Sequence, residues 1–360
     1  VNRLELAVLG VGLLAALATS GCRERTGPAS AAQTAAGTGN APNSPVKSFR
    51  LTPNGGIGFD DLWFSSELHA VLAPAGGTGC VNLFDSSSLA QTALCGIGPG
   101  GDYTGGHGEG TTSADVGAGL IFAIDRSGRH LHVVDPKSKS VVASAVLAGG
   151  PDYVRWVTSQ REVWITEPEQ EQIEVFCLVS ASPPTLVQAG SIAIKGGPES
   201  LVIDTAHDRA FTHLWQGRTV KIALGTRMVN PSFANGCKAS RGIALDAERG
   251  QLFAGCSEGK AVALDVEHDG AVLATHDTPD GVDIISFNPA LHRLYVPAAS
   301  DGSVTVLGVG RRGNLSQLGL FQSVKGAHCV ASDDQRHVWV CAPDSGSLLM
   351  YNDAFPPTEE

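Results

Sequence analysis

The chain has 360 residues, 42 % of them apolar and 17 % charged, with 44 glycines and only 2 methionines. That is enough apolar matter for one large repeat domain or two ordinary ones, and the glycine content suits short strands joined by tight turns. The net charge of −11, from 25 Lys and Arg against 36 Asp and Glu, argues against nucleic acid or anionic lipid headgroups as the main partner, since both demand basic surface.

In chain order, Arg3 precedes an apolar run at 6–18, which leads into Thr19-Ser20-Gly21-Cys22. A bilayer span needs about 20 apolar residues; this shorter run fits the core of a signal peptide covering 1–21. Small residues leading into a cysteine resemble a lipobox, which makes Cys22 the lipidated first residue of the mature chain. By analogy with such lipoproteins, Arg23 in the next position favours the outer membrane of a bacterium, on its periplasmic or outer side. The lipid is then the only contact with the membrane. Residues 22–45 are small, polar and low in complexity, too poor in apolar area to offset ordering entropy, and read as a disordered tether.

From residue 46 onward the pattern is β throughout, with apolar runs of four to seven residues between Gly, Asp, Pro and Ser clusters. No helical period is sustained. The runs group into a repeat: strand ending near an acid or amide, turn, aromatic-bearing strand, glycine turn, third strand. Residues 241–265, 283–307 and 328–350 show it most plainly. Copies begin near 60, 110, 152, 199, 241, 283 and 328, and the steps of roughly 40–50 residues are the blade length of a propeller. The expected fold is therefore all-β, a seven-bladed β-propeller of four-stranded antiparallel blades over 46–360. The last copy lacks a fourth strand, and the spare strand at 46–52 completes it, so both edges are hidden. Such a closed ring needs no second copy to be stable, and a monomer is expected.

Two features carry a resemblance to a family. One is the run Gly149-Gly150-Pro151-Asp152, repeated as Gly196-Gly197-Pro198-Glu199. The other is the turn-plus-strand unit typified by His292-Arg293-Leu294-Tyr295-Val296. In these the chain resembles the YVTN family of β-propeller repeat proteins over about 55–355. The pairing of Gly-His with Trp-Asp that marks the WD-repeat class is missing. Several propellers with YVTN-like repeats resemble lactonases, which implies a metal-assisted hydrolase as one functional alternative.

Cysteine positions test the strand reading. Cys329 and Cys341 are equidistant from Gln335, the centre of a turn, and Cys80 and Cys95 flank the turn at 86–88 almost symmetrically. Cys237 precedes one strand and Cys256 ends its hairpin partner. Three disulfides are expected from these pairs, in keeping with an oxidising compartment. Cys177 is left over as a buried small hydrophobe. No C-x-x-C or C-x-x-C-H is present, so neither a zinc spacing nor a haem attachment is read, and no cofactor or resident metal is assigned.

In a propeller the loop leading into each innermost strand opens on one face, around the central channel. These loops hold Asp60 with Asp61, Glu109 with Gly110, Asp152, Glu199, Arg241, Asp283 and His328. They form a mostly acidic ring, which is either a binding funnel for a cation or basic ligand or simply a wet polar mouth. The glycine-rich stretch 96–110 lacks the Gly-Lys-Ser/Thr ending and following helix of a phosphate loop, and is read as a long inter-blade loop in which His107 and Glu109 could form half a metal site. His130 and His132 alternate on one strand face at a spacing that can chelate. Trp63, Trp156, Trp164, Trp215 and Trp339 read mostly as blade packing, not as quinone-docking repeats. No G-x-S-x-G nucleophile elbow is read, so a serine hydrolase of the α/β type is excluded. No catalytic residue is assigned. The leading expectation is a non-enzymatic binding or scaffold module for a protein, peptide or saccharide. A hydrolase using the acidic ring is the alternative, and an accessory to an exported redox or metal system is a third.

Overall fold

The structure, a computed structural model, describes residues 44–357 except 53, 54 and 99. The signal peptide, Cys22 and all but the end of the tether lie outside the described residues. The rest is a seven-bladed β-propeller, each blade a four-stranded antiparallel sheet. Blades 1 to 6 run in sequence over 63–95, 111–146, 154–193, 202–234, 240–277 and 286–322. Blade 7 takes three strands from 330–352 and its outermost strand, Lys47–Arg50, from the other end of the chain, with Phe49 opposite Leu348. Phe49 is buried against Phe84 of blade 1 and Trp339 of blade 7, at ring distances of 4.9 and 5.4 Å, so closure is sealed by aromatic packing.

Burial follows radial position. Second strands such as Leu120–Asp125, Glu162–Glu167 and Arg293–Ala298 are buried at every residue, because neighbouring blades cover both faces. An outermost strand such as Ser140–Val146 alternates between exposed and half-buried, the period of a sheet with one wet face.

The cysteines separate into two kinds. Cys80–Cys95 and Cys237–Cys256 are disulfides. Cys329 and Cys341 do stand opposite each other, but their thiols are free, correcting the third expected disulfide. The ladder supplies the reason. Cys80 and Cys95 are directly paired with Cα atoms 4.0 Å apart, the close approach of a non-hydrogen-bonded pair. At the other pair Cys341 N–H donates a ladder bond to Cys329 O (3.1 Å), and Cys329 N–H donates to Cys341 Sγ (3.2 Å), turning that sulfur to the backbone. Cys177 is free and half-buried rather than fully buried.

Candidate functional site at the channel mouth

Within each blade the first and third strands run the same way. Loops entering the first strand and turns entering the third therefore open on the same face, and together they line a cavity of about 420 Å³. The structure brings five of the expected residues to it: Asp60, Asp152, Glu199, Arg241 and Asp283. His328 lines an adjoining cavity of about 390 Å³ that shares His107, Arg241 and Asp283. Glu109 is not among them; it is exposed and faces a separate hollow under the glycine-rich loop. Asp61 points deeper, into the channel wall, where it is paired with Arg155.

The turns that follow second strands add Arg126, Trp215 and Glu169 to the mouth, and the glycine-rich entry loop of blade 2 adds His107. Arg126 follows the second strand of blade 2, ion-paired with Asp152 and, at 3.1 Å, with Asp60. It also donates to Pro151 O (2.9 Å) and His107 O (3.3 Å). Trp215, in the corresponding turn of blade 4, is 48 % exposed, the exception among tryptophans read as packing. The Arg241 guanidinium lies 5.1 Å from its ring. His107 reaches in from the glycine-rich loop. That loop lies close on blade 1 because glycines allow backbone contact: Gly110 has φ +72° and a side chain there would meet Gly76 O at 2.3 Å. The signal for Arg126 and Trp215 was present in the repeat, since each is the first residue after a second strand.

The mouth is not an acidic funnel. Burial works against the Asp60 charge, but Arg126 and His107 outweigh it and hold the carboxyl below its usual range. Asp60, with Oδ2 at 3.4 Å from Nδ1, pulls His107 up more than burial lowers it. Burial raises Asp283. Burial pushes Glu199 up to about 8 despite Arg241 at 3.6 Å, with Asp283 and Asp60 adding to the rise. The result is a set of largely paired charges, with a protonated acid among them and Glu169 at the edge. Glu199 Oε2 is buried and has no hydrogen-bond partner within the protein. Unsatisfied groups of this kind are costly in a folded chain and are met by ligand or water.

His328 has both ring nitrogens against backbone carbonyls, Nδ1 at 2.7 Å from Gly326 O and Nε2 at 2.9 Å from Phe59 O. Both must donate, so the ring there is an imidazolium. Away from the mouth, Asp125, His130 and His132 gather with ligand atoms within 4.8 Å of one another, as the alternating histidines implied. The letters G-x-S-x-G do occur, at 255–259, correcting the reading that they are absent; they lie in a β-hairpin turn with Cys256 tied into a disulfide and make no nucleophile elbow, so the exclusion stands on structure.

The fold and mouth define a β-propeller with a polar channel opening whose charges are largely paired. No protein-family model matches the chain, and no curated protein matches it. Solved structures do. The β-propeller domain of Cps50 (Swd1) from Myceliophteria thermophila superposes with a TM-score of 0.70 at 10 % identity, covering 86 % of this chain and 98 % of that one. A chain of the mitotic checkpoint complex gives 0.68 at 12 % identity, covering 91 % and 99 %. At such identity the likeness is one of fold.

Proposed function

We propose that the protein is an extracytoplasmic, lipid-anchored binding module that takes a peptide segment of a partner protein at the channel mouth. The carrying observation is a mouth that sets polar side-chain atoms, among them the buried and unpartnered Glu199 Oε2, beside the exposed face of Trp215. A peptide supplies N–H donors and carbonyl acceptors to such atoms and apolar surface to the indole. One of the structurally similar chains belongs to a multiprotein complex by its description, which supports a protein partner. The anchoring part of the reading rests on the leader and Cys22, and the two disulfides support an oxidising compartment. Metal-assisted hydrolysis through the acidic ring is less favoured. Arg126 occupies the space between Asp60 and Asp152, and Arg241 sits against Glu199, where converging carboxylates would be needed.

The test is side-by-side screening of the full chain on a peptide library and a glycan array, repeated with Trp215→Ala and Arg126→Ala. Peptide binding weakened at least about 10-fold in both variants is expected, the loss of one well-placed contact of roughly 1.4 kcal/mol. Binding confined to glycans transfers the site to a saccharide. Peptide binding that both variants retain would sink the mouth as the site. Fatty-acid labelling lost in Cys22→Ala is the matching check on the anchor.

A further inference from the structure

Blade 7 holds a pair of sulfurs unlike the other paired cysteines. Cys329, just before the innermost strand Val330–Ser332, and Cys341, on its partner His337–Ala342, face each other and are fully buried. They remain thiols in a chain whose other two opposed pairs are disulfides. His328 adds an imidazole, and one donor atom from each of the three residues lies within 4.8 Å of the others.

We propose that His328, Cys329 and Cys341 form a site for a thiophilic d10 metal ion, Zn²⁺ or Cu⁺, whose open position faces the channel mouth.

Geometry carries the proposal first. His328 Nδ1 is 4.0 Å from Cys341 Sγ. Sulfur at about 2.3 Å and nitrogen at about 2.0 Å from a tetrahedral ion are about 3.5 Å apart. A few tenths of an ångström of side-chain rotation closes that gap. The surroundings fit as well. A ligating histidine commonly donates its other ring N–H to a carbonyl, which fixes the ring; here Nε2–H donates to Phe59 O. The Cys329 amide donates to Cys341 Sγ, a bond that favours the thiolate a metal needs.

The donor set fixes the class of ion. Two sulfurs and an imidazole select soft or borderline cations over Mg²⁺ and Ca²⁺, which take oxygen. Access comes through His328, which is only half-buried and lines the cavity shared with Tyr103, His107 and Asp283. The fourth position, open to that cavity, is left to water or a ligand. Loading has a proton balance. Nδ1–H gives up its bond to Gly326 O and releases a proton, and each thiol ionises to thiolate with release of its own. No electron is transferred. This site uses none of the paired carboxylates of the mouth and stands apart from the peptide-binding reading.

Cd²⁺ titrated into the full-length protein, purified without oxygen, reports thiolate ligation through its ultraviolet charge-transfer band. One equivalent is expected to saturate the band, Zn²⁺ to compete it away, and Cys329→Ser with Cys341→Ser to abolish it. Cys177→Ser should leave it intact, and His328→Gln should weaken binding at least about 10-fold. X-ray absorption on the Zn²⁺-loaded wild-type chain needs no variant, so it decides the matter even if the double substitution prevents folding. Two sulfurs at about 2.3 Å with nitrogen at about 2.0 Å are expected. A shell of nitrogen and oxygen alone, or a band that survives in a folded double variant, would overturn the site. So would a Cys329–Cys341 disulfide found by peptide mapping of the oxygen-free preparation.

Discussion

The inner strands leave the central channel with opposite chemistry at its two ends. At one end Asp60, Arg241 and Asp283 meet Arg126 and Trp215 in a cavity of about 420 Å³. Two to four residues further along the same strands, Leu62, Trp63, Ile243, Leu245, Ile285 and Phe287 line a second cavity of similar size, mostly apolar. At about 3.3 Å per residue that is a descent of roughly 7–13 Å. Between them Arg155 is locked to Asp61 by two hydrogen bonds, 2.6 and 3.0 Å, with its guanidinium 4.2 Å from the Trp63 ring. Loops supply the charged end because they are free of the packing that selects strand residues. The strands themselves supply the apolar end because they must pack blade on blade. Function is thus to be sought where the backbone is least constrained by the core.

The sharpest way to break this division is to cut the ion pair between its halves. Arg155→Ala leaves Asp61 buried and unpaired, and should cost about 3–5 kcal/mol in denaturant unfolding. Arg155→Met combined with Asp61→Leu should recover most of that; a double variant as unstable as the single one would mean that shape, not charge, is what the pair contributes.

Next in size is a pH effect confined to the charged end. Glu199 keeps its proton to about pH 8 when folded, against 4.5 for the ordinary group. The folded state therefore binds more protons between those values, and its stability falls as pH rises through that window. Glu199→Gln, which cannot ionise, should unfold on the order of 2 kcal/mol later than wild type near pH 8.5 and equally at pH 4. Parallel curves for the two proteins across the window would show that Glu199 is ionised in the fold.

At the apolar end, Phe287 is half-buried with its ring 5.0 Å from Phe253. Phe287→Ala should lose about 1–2 kcal/mol, less than a fully buried phenylalanine, and leave peptide binding at the far mouth unchanged. Weakened binding would show that the two ends are coupled through the channel. The smallest stability effect belongs to Trp215→Ala. Its ring is 48 % exposed, so the melting curve should move by less than about 0.5 kcal/mol while binding falls. A large loss of stability would return Trp215 to the blade packing first assigned to it.

Much of this architecture was legible in the order of residues. Seven evenly spaced copies of a strand–turn–strand unit admit few closed arrangements, and the lone strand at Lys47–Arg50 had one unfinished blade to complete. Symmetry about a turn placed Cys80 opposite Cys95 and Cys329 opposite Cys341 correctly, because side-chain register depends only on counting. Counting could not say that one pair sits at a narrow rung and the other at a hydrogen-bonded one, and that phase decided which sulfurs joined.

The mouth divides in the same way. The sequence by itself determined which residues stand at the start of each inner strand, since chain direction and strand length locate them. Only the tertiary structure decided that Arg126 and Trp215 join them from the turns after second strands, and that His107 rather than Glu109 reaches in from the glycine-rich loop, turning a row of acids into a largely paired set. Charge pairing acts over a few ångströms between residues that lie tens to hundreds of positions apart in the chain. No local pattern records such distances; they are fixed when the blades close into a ring.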